Sequence, residues 1–302
     1  MDFQPDIVTP DILTGLNEAQ LAAVTTVDGP LLVVAGPGSG KTRVLTHRVA
    51  YLIESAGVSP WNILAVTFTN KAAREMRDRL VNLVGEDAHK LTVGTFHATC
   101  VRILRRDAHL IDIDPRFTIY DDGDQMDVIR RTMSEMNLDT KRFSPRAVLS
   151  RISAAKSKFI NPKAFEEQVA DYWDEIISRI YPVYQTSLRR NRALDFDDLL
   201  CETLRLMDEH PETLARYQDL YRYTLVDEYQ DTNHVQYRLV KALSDGSRNI
   251  CVVGDPDQSI YGWRQADIRN ILDFKRDYPD AIEVHLELNY RSTNSIVSAA
   301  DS

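Results

Sequence analysis

A run of residues near the start of the chain, Ala35-Gly36-Pro37-Gly38-Ser39-Gly40-Lys41-Thr42, has the types and spacing needed to hold a string of phosphates. It matches the phosphate-loop pattern G-x-x-x-x-G-K-[ST], except that Ala35 stands in place of the first glycine. Gly36, Gly38 and Gly40 let backbone N–H groups curl around phosphate oxygens, and a helix starting here adds the positive end of its dipole. In such a loop Lys41 reaches the β- and γ-phosphates and the Thr42 hydroxyl binds Mg²⁺. The loop alone binds nucleotide without activating water. Leu225-Val226-Asp227-Glu228 supplies the partner, an apolar run ending in adjacent carboxylates. Asp227 is placed to hold Mg²⁺, and Glu228 to orient and deprotonate the attacking water. A guanine-specifying N-K-x-D is missing, since Asn70-Lys71-Ala72-Ala73 lacks the aspartate. That counts against a GTPase switch.

Both clusters need strands to aim them. Leu31 to Ala35 is a short continuous apolar run that enters the Gly-rich turn, as a buried parallel strand would. A helical pattern follows from Lys41 to about Glu54. Ile63 to Thr67 and Leu91 to Thr95 read as further strands, each followed by a helix. Strand–helix alternation predicts an α/β domain with a central parallel sheet. From Asp107 to Ala193 the pattern turns helical, apart from the short Phe117–Tyr120, with breakers at Pro145, Pro162 and Pro182. Strand signals return at Tyr223–Val226, Ile250–Val253 and Glu283–Leu286. The simplest organisation is one α/β domain interrupted by a mostly helical insertion. Asn294 to Ser302 reads as the first turns of a helix with no cap or stop, so the chain is expected to be part of something longer.

Composition excludes several classes. At 302 residues, with 43% hydrophobic and 27% charged, the chain is an ordinary globular one. Its longest apolar run is too short to span a bilayer, and the acidic N-terminus has no secretory h-region. The three cysteines, Cys100, Cys201 and Cys251, are far apart and read as reduced core thiols in a cytoplasmic protein. A net charge of −9 argues against nucleic acid binding over the whole surface. The charge is uneven, however. Between Asp139 and Glu166 there is no acidic residue, while Lys141, Arg142, Arg146, Arg151, Lys156, Lys158 and Lys163 are all basic. Such a run is either a solvated helix face or a patch for polyanions.

Together these residues closely resemble the UvrD/PcrA/Rep family of superfamily 1A DNA helicases, over about Leu16 to Thr293. Leu16-Asn17-Glu18-Ala19-Gln20 looks like the Q motif, and Ala35 to Thr42 like motif I, where the family usually carries Ala first. Ala65 to Ala73 is similar to motif Ia, Gly94-Thr95-Phe96-His97 to the segment after it, and Leu194 to Leu200 to the return from the insertion. Val226 to Asn233 resembles motif II, Val253 to Arg264 motif III, and Leu288 to Thr293 motif IV. The resemblance implies a RecA-like ATPase domain in two parts, residues 1–105 and 195–285. It also implies a helical insertion over 106–194 and the start of a second ATPase domain at 286–302. ATP and Mg²⁺ are the implied cofactors, with single-stranded DNA and single-strand/duplex junctions as partners, beside other repair proteins and no membrane.

Roles carry over residue by residue. Gln20 would read the adenine edge and Tyr290 stack on the adenine, with Arg43 also placed to touch nucleotide. Gln258 would sit near the γ-phosphate and report its presence, and Arg291 would be an arginine finger. Fingers of this kind are worth about 10³–10⁵ in rate. Phe68, Tyr261 and Trp263 match positions where the family stacks DNA bases, with Asn70, His97 and Arg264 beside the strand. Stacking contributes roughly 1–3 kcal/mol per base and tolerates any sequence. Gln265 departs from the family, which commonly has Gly there. Motifs V and VI lie outside the sequence, so the chain is expected to hydrolyse ATP poorly alone. Two alternatives are a subunit of a RecB- or AddA-type helicase–nuclease and a nucleotide- or DNA-binding module without hydrolysis. The compact insertion favours the first-named family, and the intact Lys41, Asp227, Glu228 and Arg291 argue against a dead site.

Overall fold

A computed structural model describes residues 11–260, 262 and 265–291. The strands of the central sheet are β1 (Leu31–Ala35), β2 (Ile63–Thr67), β3 (Thr92–Thr95), β6 (Tyr223–Val226), β7 (Asn249–Gly254) and β8 (Ile282–Leu286). A short pair, β4 (Thr118–Ile119) and β5 (Ala193–Leu194), lies apart from them. The helices are α1 (Glu18–Thr25), α2 (Lys41–Glu54), α3 (Asn70–Val84), α4 (Phe96–Asp107), α5 (Asp122–Glu135), α6 (Pro145–Ser157), α7 (Pro162–Glu166), α8 (Tyr172–Arg190), α9 (Phe196–Glu209), α10 (Pro211–Leu220) and α11 (His234–Ser244).

The six strands run in the order β3-β2-β6-β7-β1-β8, and every pairing is parallel. The apolar runs of β1, β2, β6 and β7 are therefore strands buried on both faces, whereas β8 at the sheet edge is only partly covered. Alternation divides their side chains between two cores. Leu31, Val33, Ile63, Ala65, Leu225 and Val253 pack with α1, α2 and α3. Leu32, Leu64, Val66, Val226, Ile250 and Val252 pack with α4, α9 and α11. The phosphate loop follows β1, and Asp227 follows β6, with β7 lying between these two strands. All their carboxyl ends therefore face the same rim, where an open α/β sheet binds its ligands.

Helices α5 to α8 build a third, separate core around Ile129, Ile152, Ile177, Ile180 and Tyr184. The chain enters and leaves this insertion through β4 and β5, paired in parallel with Thr118 opposite Ala193. Pro145 and Pro162 open helices, as breakers do. Pro182 does not: it lies inside α8, which continues to Arg190. Burial of Ile177, Ile180, Tyr181, Tyr184 and Leu188 along one face offsets the hydrogen bond that proline cannot donate. All three cysteines are free thiols. Among the described residues no helix is long and apolar enough to cross a membrane.

Candidate functional site

The phosphate loop is held open by glycine geometry and by α1 behind it. Gly38 (φ +70°) and Gly40 (φ +93°) stand in the left-handed region. A side chain at Gly38 would meet Arg291 Cβ at 2.5 Å, and one at Gly40 would meet Gln20 Nε2 at 2.9 Å. Ser39 Oγ donates to Gly36 O (2.7 Å), and Gln20 Nε2 donates to Ser39 O (3.0 Å). Gly40 is the N-cap of α2 and offers no side-chain cap. The first N–H groups of α2 are thus aimed at the loop rather than taken up by a cap, which is the arrangement an anion needs.

The other expected nucleotide residues fall around this loop. Asn17 N donates to Gln20 Oε1 (3.2 Å), and Asn17 Nδ2 donates to Tyr290 Oη (2.8 Å), so Gln20 and Tyr290 are tied through one residue. Tyr290 N donates to Gly38 O (2.9 Å), which lays the segment carrying Tyr290 and Arg291 directly on the loop. Pro37 is exposed at the loop tip and Thr42 is half-buried at the start of α2. Arg43 is exposed and donates to Thr14 O (3.5 Å), on the side of the N-terminal segment.

Lys41 and the two carboxylates converge through β7. Lys41 Nζ donates to Ala35 O (3.2 Å) and stands 3.7 Å from Asp255 Oδ2. Gln258 Nε2 donates to the same Asp255 oxygen. Gln230 Nε2 donates to Glu228 Oε2 (2.9 Å), while Gln230 Oε1 accepts from Asp255 N (3.0 Å). Lys41, Asp255, Gln258, Gln230 and Glu228 therefore form one connected network. Glu228 takes a left-handed backbone (φ +50°), which turns the chain sharply after β6. Sequence reasoning passed over Asp255, Gln230 and Asn17. All three stand in motif-like segments, and the signal was there, but their partners come from other strands and helices.

Asp227 is 5% exposed. Burial foremost, then the Glu228 charge, pushes its carboxyl up to about 7, against the pull of the Glu228 N–H, Lys41 and Arg79. A dication beside these carboxylates would relieve the repulsion. No group of three His, Cys, Asp or Glu among the described residues could hold a metal by itself. Mg²⁺ needs none, because it usually takes one or two protein oxygens, phosphates and water. Thr42 and Asp227 fit that donor set.

Beside the nucleotide site lies a groove of about 970 Å³, lined by Phe68, His97, Arg146, Phe196 and Gln265 among others. Phe68 follows β2, His97 stands in the first turn of α4 after β3, and Arg146 comes from α6 of the insertion. Phe196, 45% exposed, meets the His97 ring edge-on at 5.7 Å. It is a groove aromatic that sequence reasoning did not single out, although it lies in the motif-like stretch that leads back from the insertion. Asn70 is exposed at the start of α3 and is not among the lining residues. Tyr261, Trp263 and Arg264 lie outside the described residues. Three of the seven basic residues in that stretch of the insertion are spent on structure. Lys156 is buried between Asp195 (2.6 Å) and Asp198 (2.8 Å), and Arg151 pairs with Asp174 at 2.9 Å. Arg142 lies over the Phe143 and Tyr172 rings. Only Arg146 of that stretch lines the groove.

The family model of the UvrD/REP helicase N-terminal domain matches residues 16–279. The chain is 53% identical over 294 residues to the ATP-dependent DNA helicase PcrA of Bacillus subtilis (strain 168), which covers 97% of this chain and 40% of that protein. It is 52% identical over 290 residues to the proteins of the same name from Staphylococcus epidermidis and from Staphylococcus aureus (strain Mu50 / ATCC 700699), covering 96% of this chain and 40% of each. The chain thus spans about 40% of the length of these curated relatives. With the phosphate loop, the paired carboxylates and the parallel sheet all in place, the chain belongs to the UvrD/REP helicase family, to whose N-terminal domain it corresponds.

Proposed function

We propose that this chain is the ATP-binding N-terminal region of a cytoplasmic, ATP-dependent DNA helicase that moves 3′ to 5′ on single-stranded DNA and opens duplexes at junctions during repair or replication. One observation carries the reading: the phosphate loop, the carboxylates and the aromatic groove all stand at the carboxyl ends of one parallel sheet. Nucleotide chemistry and strand contact can then act on each other through a few residues. The named relatives, all ATP-dependent DNA helicases, support it.

In this reading the backbone of Gly36 to Gly40 cradles the phosphates, and Lys41 moves from Asp255 to the β- and γ-phosphates. Thr42 and Asp227 hold Mg²⁺, which neutralises phosphate charge when bound. Glu228 orients a water and takes its proton, Gln258 senses the γ-phosphate, and Arg291 supplies positive charge to the transition state. Gln20 and Tyr290, tied through Asn17, flank the adenine. Phe68, Tyr261 and Trp263 give bases a stacking surface, with Phe196 added by the groove, while Asn70, His97 and Arg264 attend the strand.

Steady-state ATP hydrolysis with and without poly-dT, with Lys41→Ala as control, tests the reading. The expected result is Mg-dependent ATP binding with weak turnover, both lost in Lys41→Ala. No ATP binding by the wild-type chain, or binding indifferent to Lys41→Ala, would overturn it.

A further inference from the structure

The side chain of Gln230 sits between the two halves of the catalytic network and is 1% exposed. Its amide orientation is fixed by its neighbours. Asp255 N can only donate, so the atom facing it at 3.0 Å must be Oε1. Nε2 is then turned toward carboxylate oxygens, Glu228 Oε2 at 2.9 Å and Asp231 Oδ2 at 3.4 Å. The packing is specific as well: a side chain at Gly254 would come within 2.5 Å of Gln230 Oε1. The last residue of β7 is therefore bare where the amide passes.

We propose that Gln230 is a positioning residue for hydrolysis, which holds the Glu228 carboxylate in its working direction and ties it to the Asp255 end of β7. The inference rests on the reading of Glu228 as the base that takes the water's proton. Asp255 faces Lys41 and Gln258, the residues assigned to the γ-phosphate. A displacement of Asp255 as Lys41 leaves it for phosphate pulls on the Gln230 amide, and through that amide on Glu228. The base is thereby aligned by the same event that fills the phosphate loop.

Two substitutions separate positioning from bulk structure. Gln230→Met keeps the volume and removes both hydrogen bonds. Its kcat for ATP with saturating poly-dT should fall about 10–100-fold, the scale for a misplaced catalytic group, with KM for ATP changed by no more than about twofold. Gln230→Glu carries an O–H only while protonated. The charged groups facing it are Glu228, Asp231 and Asp255 with its partner Lys41, and the carboxylates favour its neutral form at low pH. Its activity relative to wild type should be highest near about pH 5.5 and decline toward about pH 8, as ionisation removes the donor and sets a further carboxylate against Glu228. A misfolded variant would give no such profile.

Glu228→Gln runs alongside as the benchmark, and nucleotide-free crystal structures of wild type and Gln230→Met supply a readout that needs no turnover. The expected structure has the Glu228 carboxylate swung away from its wild-type place. Wild-type kcat in Gln230→Met beside an inactive Glu228→Gln, a flat pH ratio in Gln230→Glu, or an unmoved Glu228 would each overturn the inference. Wild-type turnover in Glu228→Gln would instead remove Glu228 from the role of base, a separate failure.

Discussion

The Lys41 ammonium stands 3.7 Å from Asp255 Oδ2, so the cation assigned to the phosphates is already held by a carboxylate just past the end of the neighbouring strand. Both side chains are largely out of water, 11% and 4% exposed. A phosphate entering the loop must take Lys41 from this partner. The pair keeps the lysine extended along the loop and also competes with the ligand.

Asp255→Asn removes that competition while preserving shape. ATP should bind about threefold more tightly, a fraction of the free energy of a buried ion pair, as read by titration with a fluorescent ATP analogue. Equal or weaker binding would mean that Asp255 aligns Lys41 without restraining it.

Stability should depend on pH through Asp227. Its carboxyl is pushed up to about 7 in the fold, against about 3.9 in an unfolded chain. The folded protein thus keeps a proton that the unfolded chain has lost, so this contribution is complete below about pH 4 and is lost as pH rises through about 7. Asp227→Asn does not titrate. It should exceed wild type in stability at pH 8 by on the order of 2–4 kcal/mol and converge with it near pH 4. Calorimetry across that range decides, and a gain equal at every pH would rule out ionisation of the buried carboxyl as its cause.

Lys156→Met should be among the most damaging changes in the insertion. It leaves Asp195 and Asp198 buried without their cation, where Tyr184 Oη and Gln185 Nε2 alone remain as side-chain donors. The expected cost is about 3–5 kcal/mol in urea unfolding. A loss below about 1 kcal/mol would place this lysine with ordinary surface ion pairs.

Phe196→Ala tests the groove. The ring is 45% exposed, so thermal stability should hardly move. Affinity for an oligo-dT strand should fall by the worth of roughly one stacked base, about 1–3 kcal/mol, measured by fluorescence anisotropy at fixed salt. Unchanged affinity would take the His97–Phe196 wall out of the strand's path.

The strands and the phosphate loop could be read directly because a fully buried parallel strand is a continuous apolar run, and the glycines mark where it turns. Lys41, Asp227 and Glu228 each follow such a run. Gln230 and Asp255 were not legible, since their meaning depends on β6 and β7 being neighbours, and strand order is not written locally. Lys156 read as part of a basic face because its counter-ions come 39 and 42 residues later in the chain. Pro182 read as a helix breaker because a local rule cannot see the tertiary burial that carries α8 through it. Each miss is a case of a distant contact outweighing a local preference.

The short pairing of β4 with β5 has a mechanical consequence. The insertion continues from the far end of β4 and returns into the near end of β5, and the two strands run parallel. The pairing therefore fastens the chain's exit into the insertion to its return from it, and the two connections cannot part without breaking this seam. The bonds Thr118 N to Arg192 O and Tyr120 N to Leu194 O, both 2.9 Å, close the seam. Because α9 opens with Phe196, two residues after β5, the helical lobe is joined at this seam to the wall of the groove by a single stalk, not by two loose tethers.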